Sequence, residues 1–452
     1  LQYVTIGGTK AGKVTHYQLH AIQDSGGFAD MGTILAPFMT RPMSSGVYAI
    51  PNIECRTTSV VTNTTPIVAY RGAGRPEATA AIERAMDLFA LEIGKDAAEV
   101  RRMNLIPKFL EPHTTVVGQT YDVGDYETAL DKALDAADYK ALRAEQAKRR
   151  ASGDAKQLGI GVSVYVEITG GVGNGESAKV EVLEDGRAVV YTGTSPHGQG
   201  HDTAWSMLVQ EQTGIPMDRI ELVWGDTDLV PVGTGTMGSR SLQQGGNAVF
   251  QVAGTLAEKA KSVAARLLEV SEADVVLDKD RGAFHVVGTP AVTKTWADLA
   301  VAEKSTGGLL HDEVINVSGA TFPFGAHIAV VEVDTETGRV KHLRQVACDD
   351  AGKVLNPMLL DGQIHGGIAQ GVAQALLEEV LYDADGNPTT SNLADYGFIS
   401  AAELPNVEVI HMETPTPVNA IGAKGIGESG TIGSTPAIQS AVVDAVSHLG
   451  VK

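Results

Sequence analysis

Ile421-Gly422-Ala423-Lys424-Gly425-Ile426-Gly427-Glu428-Ser429-Gly430 is the stretch from which the rest of the chain can be read. One carboxylate, Glu428, sits among glycines, which let a backbone approach a ligand closely and adopt positive φ. An apolar segment with few charges follows, from Thr435 to Val446. Pro436 suits a first helical turn, so the pattern predicts a loop leading into a buried helix. A carboxylate in so dry a place is expected to have a raised pKa, which suits a general base. Two plainer readings compete. Glu428 at a helix start complements the macrodipole without any chemistry. Gly425-x-Gly427-x-x-Gly430 also fits a dinucleotide loop, but Val418-Asn419-Ala420-Ile421 is a poor strand, and a βαβ unit with a distal acid does not fit before Lys452. The dinucleotide reading is rejected.

The bulk properties narrow the class. A chain of 452 residues holds two or three domains, and its 43% hydrophobic content is ordinary for a globular protein. A net charge of −20 argues against a nucleic-acid or anionic-membrane partner. Two cysteines, Cys55 and Cys348, provide neither a disulfide framework nor an iron–sulfur site, and they predict a cytoplasmic protein. No run approaches the roughly 18 apolar residues of a membrane span. Leu1–Gly8 reads as a strand already under way, which predicts that the sequence begins inside a larger polypeptide.

In chain order, residues 1–75 are strand-rich, with strands expected at 1–8, 14–21 and 53–62. Pro76 opens a helix from Glu77 to Ile93, and Asp96 caps a second one through Arg102. Helices follow over 126–136 and 140–150, and Ser152-Gly153-Asp154 is the expected domain boundary. Beyond it, strands are expected at 161–167, 178–182, 188–192, 220–224, 326–334, 339–348 and 407–413. Helices are expected at 202–213, 244–270 and 362–377. The class is α+β.

Four more glycine-rich segments carry polar groups. Tyr70-Arg71-Gly72-Ala73-Gly74-Arg75 ends a strand and feeds a helix, which makes either an anion cradle or a solvated arginine. In His197-Gly198-Gln199-Gly200-His201 the glycines disfavour a helical zinc pair, and an amide held between them suits hydrogen bonding to a ligand. Gly238-Ser239-Arg240-Ser241 offers hydroxyls and N–H groups suited to phosphate, but without the GK[ST] of a P-loop. Gly366-Gly367-Ile368-Ala369-Gln370-Gly371 suits close helix packing as well as a ligand contact.

Together these segments resemble one family, the molybdenum-binding subunit of the xanthine dehydrogenase, aldehyde oxidase and carbon monoxide dehydrogenase group. AYRGAGRPEA at 69–78, HGQG at 197–200, GSRS at 238–241, LNP at 355–357, GGIAQG at 366–371 and GIGESG at 425–430 occur in the family's order. The resemblance implies two elongated mixed α/β subdomains of the molybdenum-cofactor-binding type, 1–153 and 154–452, the first incomplete. It implies a molybdenum–molybdopterin cofactor in the cytosine dinucleotide form, with the molybdenum held by the pterin dithiolene and not by protein side chains. Gln199 with Gly200, and Gln370, would contact the pterin. Gly238, Ser239, Arg240 and Ser241 would hold its phosphates. Arg71, Gly72 and Ala73 would approach the metal's ligands, and Glu428, beside Gly427, would be the base. The implied partners are an iron–sulfur small subunit with [2Fe-2S] clusters, an FAD-binding medium subunit and the missing N-terminal part of this subunit, in a dimer of heterotrimers. The implied reaction is oxidative hydroxylation of an aldehyde or N-heterocycle with water as oxygen source. Carbon monoxide-oxidising members carry a copper-binding cysteine after the arginine of the AYR loop. Gly72 stands there, which disfavours a carbon monoxide dehydrogenase in the strict sense. The remaining alternative is a non-catalytic scaffold subunit with a decayed site.

Overall fold

The computed structural model describes residues 1–171, 175–317 and 319–451. A four-stranded sheet, in the order Val407–Met412, Val340–Asp350, Phe324–Asp334, Lys156–Val166, lies under the site. Its first pair is parallel and the others antiparallel. The strand Lys156–Val166 is buried from Gln157 onward because both faces are covered. Helix Ser429–Val446 lies across it so closely that a Cβ on Gly159 would collide with the carbonyl of Ala441, and one on Gly161 with that of Ala437. Only glycine permits that approach.

A second four-stranded sheet joins Leu309–Ile315, Glu176–Val182, Ala188–Thr192 and Ile220–Val223, and is backed by helix Asn247–Leu268. A three-stranded sheet near the start pairs Gln2–Gly8 with Val14–Asp24 antiparallel and adds Asn52–Val60 in parallel. Helix Arg75–Ile93 runs beside it and also meets helix Ser429–Val446. Gly153 (φ 65°) closes helix Tyr139–Ser152 at the expected boundary. One core nonetheless runs across that point, joining Val14, Tyr17, Met86 and Leu130 to Ile160, Val162, Phe324 and Ile328.

Most elements fall where the periodicity predicts, within a few residues. The helix after the glutamate loop is different. It begins at Ser429, and Pro436 lies in its interior. The early start comes from packing: a Cβ on Gly367 of helix Pro357–Leu376 would run into Gly430 and Thr431, and one on Gly371 into Ser434, so the first turn is held by a neighbour rather than by local propensity. The expected helix 244–270 is Asn247–Leu268, entered through a wide π-helical turn, Ser241–Gly246. The small antiparallel sheet Val275–Asp278, Ala283–Val286, Thr289–Thr295 and the helix Trp296–Glu303 had no counterpart in the sequence reading. No helix among the described residues is long and apolar enough to cross a membrane.

Candidate active site

Five loops converge on a cavity of about 800 Å³. Residues 69–75 come from the approach to helix Arg75–Ile93, and 197–201 from the turn into helix His201–Thr213. Residues 236–242 precede helix Asn247–Leu268, 353–363 enter helix Pro357–Leu376, and 424–428 enter helix Ser429–Val446. Each site loop thus runs into a helix N-terminus or its first turns, where backbone N–H groups are free for a ligand. Glu428 is the one acidic side chain among the described lining residues, against Arg71, Arg75, Arg240, Lys353 and Lys424. Arg75 is paired with Glu428, Arg240 with buried Glu176 and Lys424 with buried Asp350, so among the described residues the charge left for an anionic ligand is that of Arg71 and Lys353.

Glu428 occupies the N-cap position of its helix, but its side chain does not bond the helix's own N–H groups. Its Oε1 accepts the Gly72 N–H (3.1 Å). Its Oε2 accepts from Arg75 Nη2 (2.9 Å) and Ser239 Oγ (2.8 Å). Its side chain is 14% exposed. Burial pushes its pKa up, but the Arg75 guanidinium, the Ser239 hydroxyl and the Gly72 N–H outweigh this and hold it below the usual carboxylate range. The raised pKa expected from the sequence is therefore corrected: the loop is dry, but it is not empty of charge. Arg75 and Ser239 lie 353 and 189 residues away in sequence, and no local pattern announces them.

Arg71 is held by neutral acceptors. Its Nε donates to the Gly427 carbonyl (2.6 Å), Nη1 to Gln370 Oε1 (2.9 Å) and Nη2 to Gln363 O (3.2 Å) and Oε1 (3.1 Å). With no carboxylate bonded to it among the described residues, its charge is left to the cavity. Gln199 lines the cavity, its Oε1 accepting the His197 N–H, while Gln370 is exposed and is not part of the described lining. Gln363, seven residues earlier on the same helix face, lines it instead. That i, i+7 pair of glutamines was the signal by which Gln363 could have been found.

Gly238, Ser239, Arg240 and Ser241 all border the cavity, but the Arg240 guanidinium is committed to buried Glu176 and to the Gly235 carbonyl (2.9 Å). Ser239 gives its hydroxyl to Glu428 and Ser241 to Thr236, so any phosphate contact there falls to backbone N–H groups. Ala73 and Gly427 line the cavity; Gly72 and Gly200 stand behind it. Ala73 (φ 41°) and Ser239 (φ 54°) are two of four non-glycine residues with positive φ among those described. The other two, Asp138 and Glu269, are helix caps, so the unforced backbone strain gathers at the site. His201 opens its helix and stacks on Trp205, which removes the zinc pairing with His197. No group of three or more potential metal ligands occurs among the described residues.

A glycine-walled cavity of this size, with Arg71 turned to it beside one acid, is suited to a large anionic ligand. The molybdopterin cofactor-binding domain family matches residues 1–105 and 132–405. The carbon monoxide dehydrogenase large chain of Hydrogenophaga pseudoflava is 39% identical over 99% of this chain and 58% of that protein. The 6-hydroxypseudooxynicotine dehydrogenase complex subunit gamma of Paenarthrobacter nicotinovorans is 35% identical over 96% of this chain and 56% of its own length. The crystal structure of quinoline 2-oxidoreductase from Pseudomonas putida 86 superposes with a TM-score of 0.92 at 31% identity, over 99% of this chain and 59% of that one. The chain belongs to the molybdopterin cofactor-binding family, in the xanthine dehydrogenase, aldehyde oxidase and carbon monoxide dehydrogenase group. It spans a little under three-fifths of the length of these relatives.

Proposed function

We propose that the cavity takes a molybdenum–molybdopterin cofactor, in its cytosine dinucleotide form, and that the protein is the cofactor-bearing part of a hydroxylase acting on an aldehyde or N-heterocycle. The observation that carries this reading is the glycine-built lining in which Arg71, held by neutral acceptors, faces the cavity beside a single acid, Glu428. Bound there, the cofactor would supply Lewis-acid activation of water and a two-electron acceptor. The backbone of 238–241 and the Gln199 amide would hold its polar ends, and Arg71 would meet its negative charge. A carboxylate offers about four lone-pair sites, and Glu428 uses three of them on Gly72, Arg75 and Ser239. The remaining site is on Oε1, which makes that atom the proton acceptor. Met31, Ile34, Leu35 and Met39 add an apolar stretch to the lining of the same cavity. Electrons would leave through [2Fe-2S] and FAD partner subunits, in a dimer of heterotrimers.

The substrate class follows from what the Arg71 loop lacks. Gly72, Ala73 and Gly74 offer no sulfur, and neither Cys55 nor Cys348 is among the described lining residues. This favours an organic substrate over carbon monoxide. The test is dye-linked turnover by the purified complex over aldehydes, purines, nicotinate and carbon monoxide. The expected result is oxidation of an aldehyde or heterocycle and none of carbon monoxide; carbon monoxide as the sole substrate would overturn the assignment.

A further inference from the structure

Strand Lys156–Val166 delivers a second carboxylate to the site. Glu167 follows ten buried residues and has no exposed side chain. A lone charge there would be costly. Its Oε2 accepts from Ser429 Oγ (2.6 Å), and its Oε1 lies 3.0 Å from Ser239 Oγ and 3.4 Å from Arg75 Nη2. The Ser239 hydroxyl and the same arginine nitrogen also contact Glu428, the arginine more closely at 2.9 Å. The guanidinium therefore belongs chiefly to Glu428.

The proton count decides the charges. Ser239 Oγ carries one hydrogen and touches two carboxyl groups. With both glutamates ionised, one contact sets a hydroxyl lone pair against a carboxylate. With a proton on Glu167 Oε1 both contacts are hydrogen bonds: Glu167 O–H donates to Ser239 Oγ, and Ser239 O–H donates to Glu428 Oε2. The other groups facing Glu167 do not alter this. Arg71 is attracted to both glutamates but bonds neutral acceptors, and Tyr165 gives its hydroxyl to Asp349 (2.7 Å).

We propose that Glu167 is a positioning residue that stays protonated in the working protein and, through Ser239, keeps Glu428 ionised and its Oε1 free to take a proton. Burial first, and then the charge of Glu428, push Glu167 up to about 8, while Glu428 is held low. Such a divergence between neighbouring carboxyl groups separates a proton holder from a base. The consequence for catalysis rests on the hydroxylase reading above; the protonation state does not.

Infrared difference titration of the purified complex reads the proton directly. Wild type should show a buried carboxylic-acid band at neutral pH that is lost as pH rises through about 8. Glu167→Gln should lack it. In Glu428→Gln, where the neighbouring charge is gone, the midpoint of that band should shift to lower pH. A band untouched by both substitutions, or none in wild type, would overturn the proposal even if the complex turns over no substrate. In active enzyme the acid limb of kcat/KM, which reports the base, should stay in place in Glu167→Gln, because the amide mimics the neutral acid. A downward shift would mean that wild-type Glu167 carries the charge, and would equally overturn it.

Discussion

At the residue scale the protein turns on how the charge of Glu428 is arranged. Its carboxylate gains one cation, one hydroxyl and one backbone N–H, yet one lone pair stays open to the cavity. Glu428→Gln removes the charge at almost constant volume, so turnover should fall by roughly 10²–10⁴-fold with molybdenum content unchanged; near wild-type kcat at full loading would remove Glu428 from the mechanism. Glu167 makes a linked statement about stability. Its folded-state pKa is raised from 4.5 to about 8, so between those values the folded state holds a proton that the unfolded chain has released. The cost to stability is absent below the window, grows as pH rises through it and is complete above it. Glu167→Gln does not titrate, so its Tm relative to wild type should climb across that window; parallel melting curves at every pH would contradict this. Neither effect was legible in the sequence, where Glu167 looks like the end of an apolar strand and Glu428 like a carboxylate raised by burial alone.

At the scale of elements, glycine sets how closely the pieces stack. Helix Ser429–Val446 rests directly on Gly159 and Gly161, and a Cβ at Gly161 would meet the Ala437 carbonyl and the Ala441 nitrogen. Gly161→Ala should cost about 1–3 kcal/mol through overpacking. Gly362, exposed inside helix Pro357–Leu376, has no neighbour within 4 Å of such an atom. Gly362→Ala should therefore stabilise by about 0.5–1 kcal/mol. Chemical denaturation of the two variants checks the opposite signs; destabilisation by both would refute the steric account. Periodicity found helix Arg75–Ile93 to within two residues and strand Ala188–Thr192 at its observed ends. It failed where tertiary contacts set the geometry, at the glycine-packed first turn of helix Ser429–Val446 and the π-helical entry 241–246. It also missed the strands between Val275 and Thr295, which are short and largely uncovered, and so show little alternation.

At the scale of the molecule, three cores carry the loops that meet at the cavity. The sheet built on Lys156–Val166 holds Glu167, and its flanking helices hold Arg75, Gln363 and Glu428. The order of the motifs along the chain carried the family and most of the loops, because each motif is a local backbone shape. Which side chains face one another across the cavity depended on the packing of elements hundreds of residues apart, as with Arg75 and Glu428. The most direct test of the whole account is metal analysis of the purified complex, quantified per polypeptide. Molybdenum equimolar with the chain, and no copper, is the predicted result. Absence of molybdenum, or copper equimolar with it, would contradict the cavity's assignment.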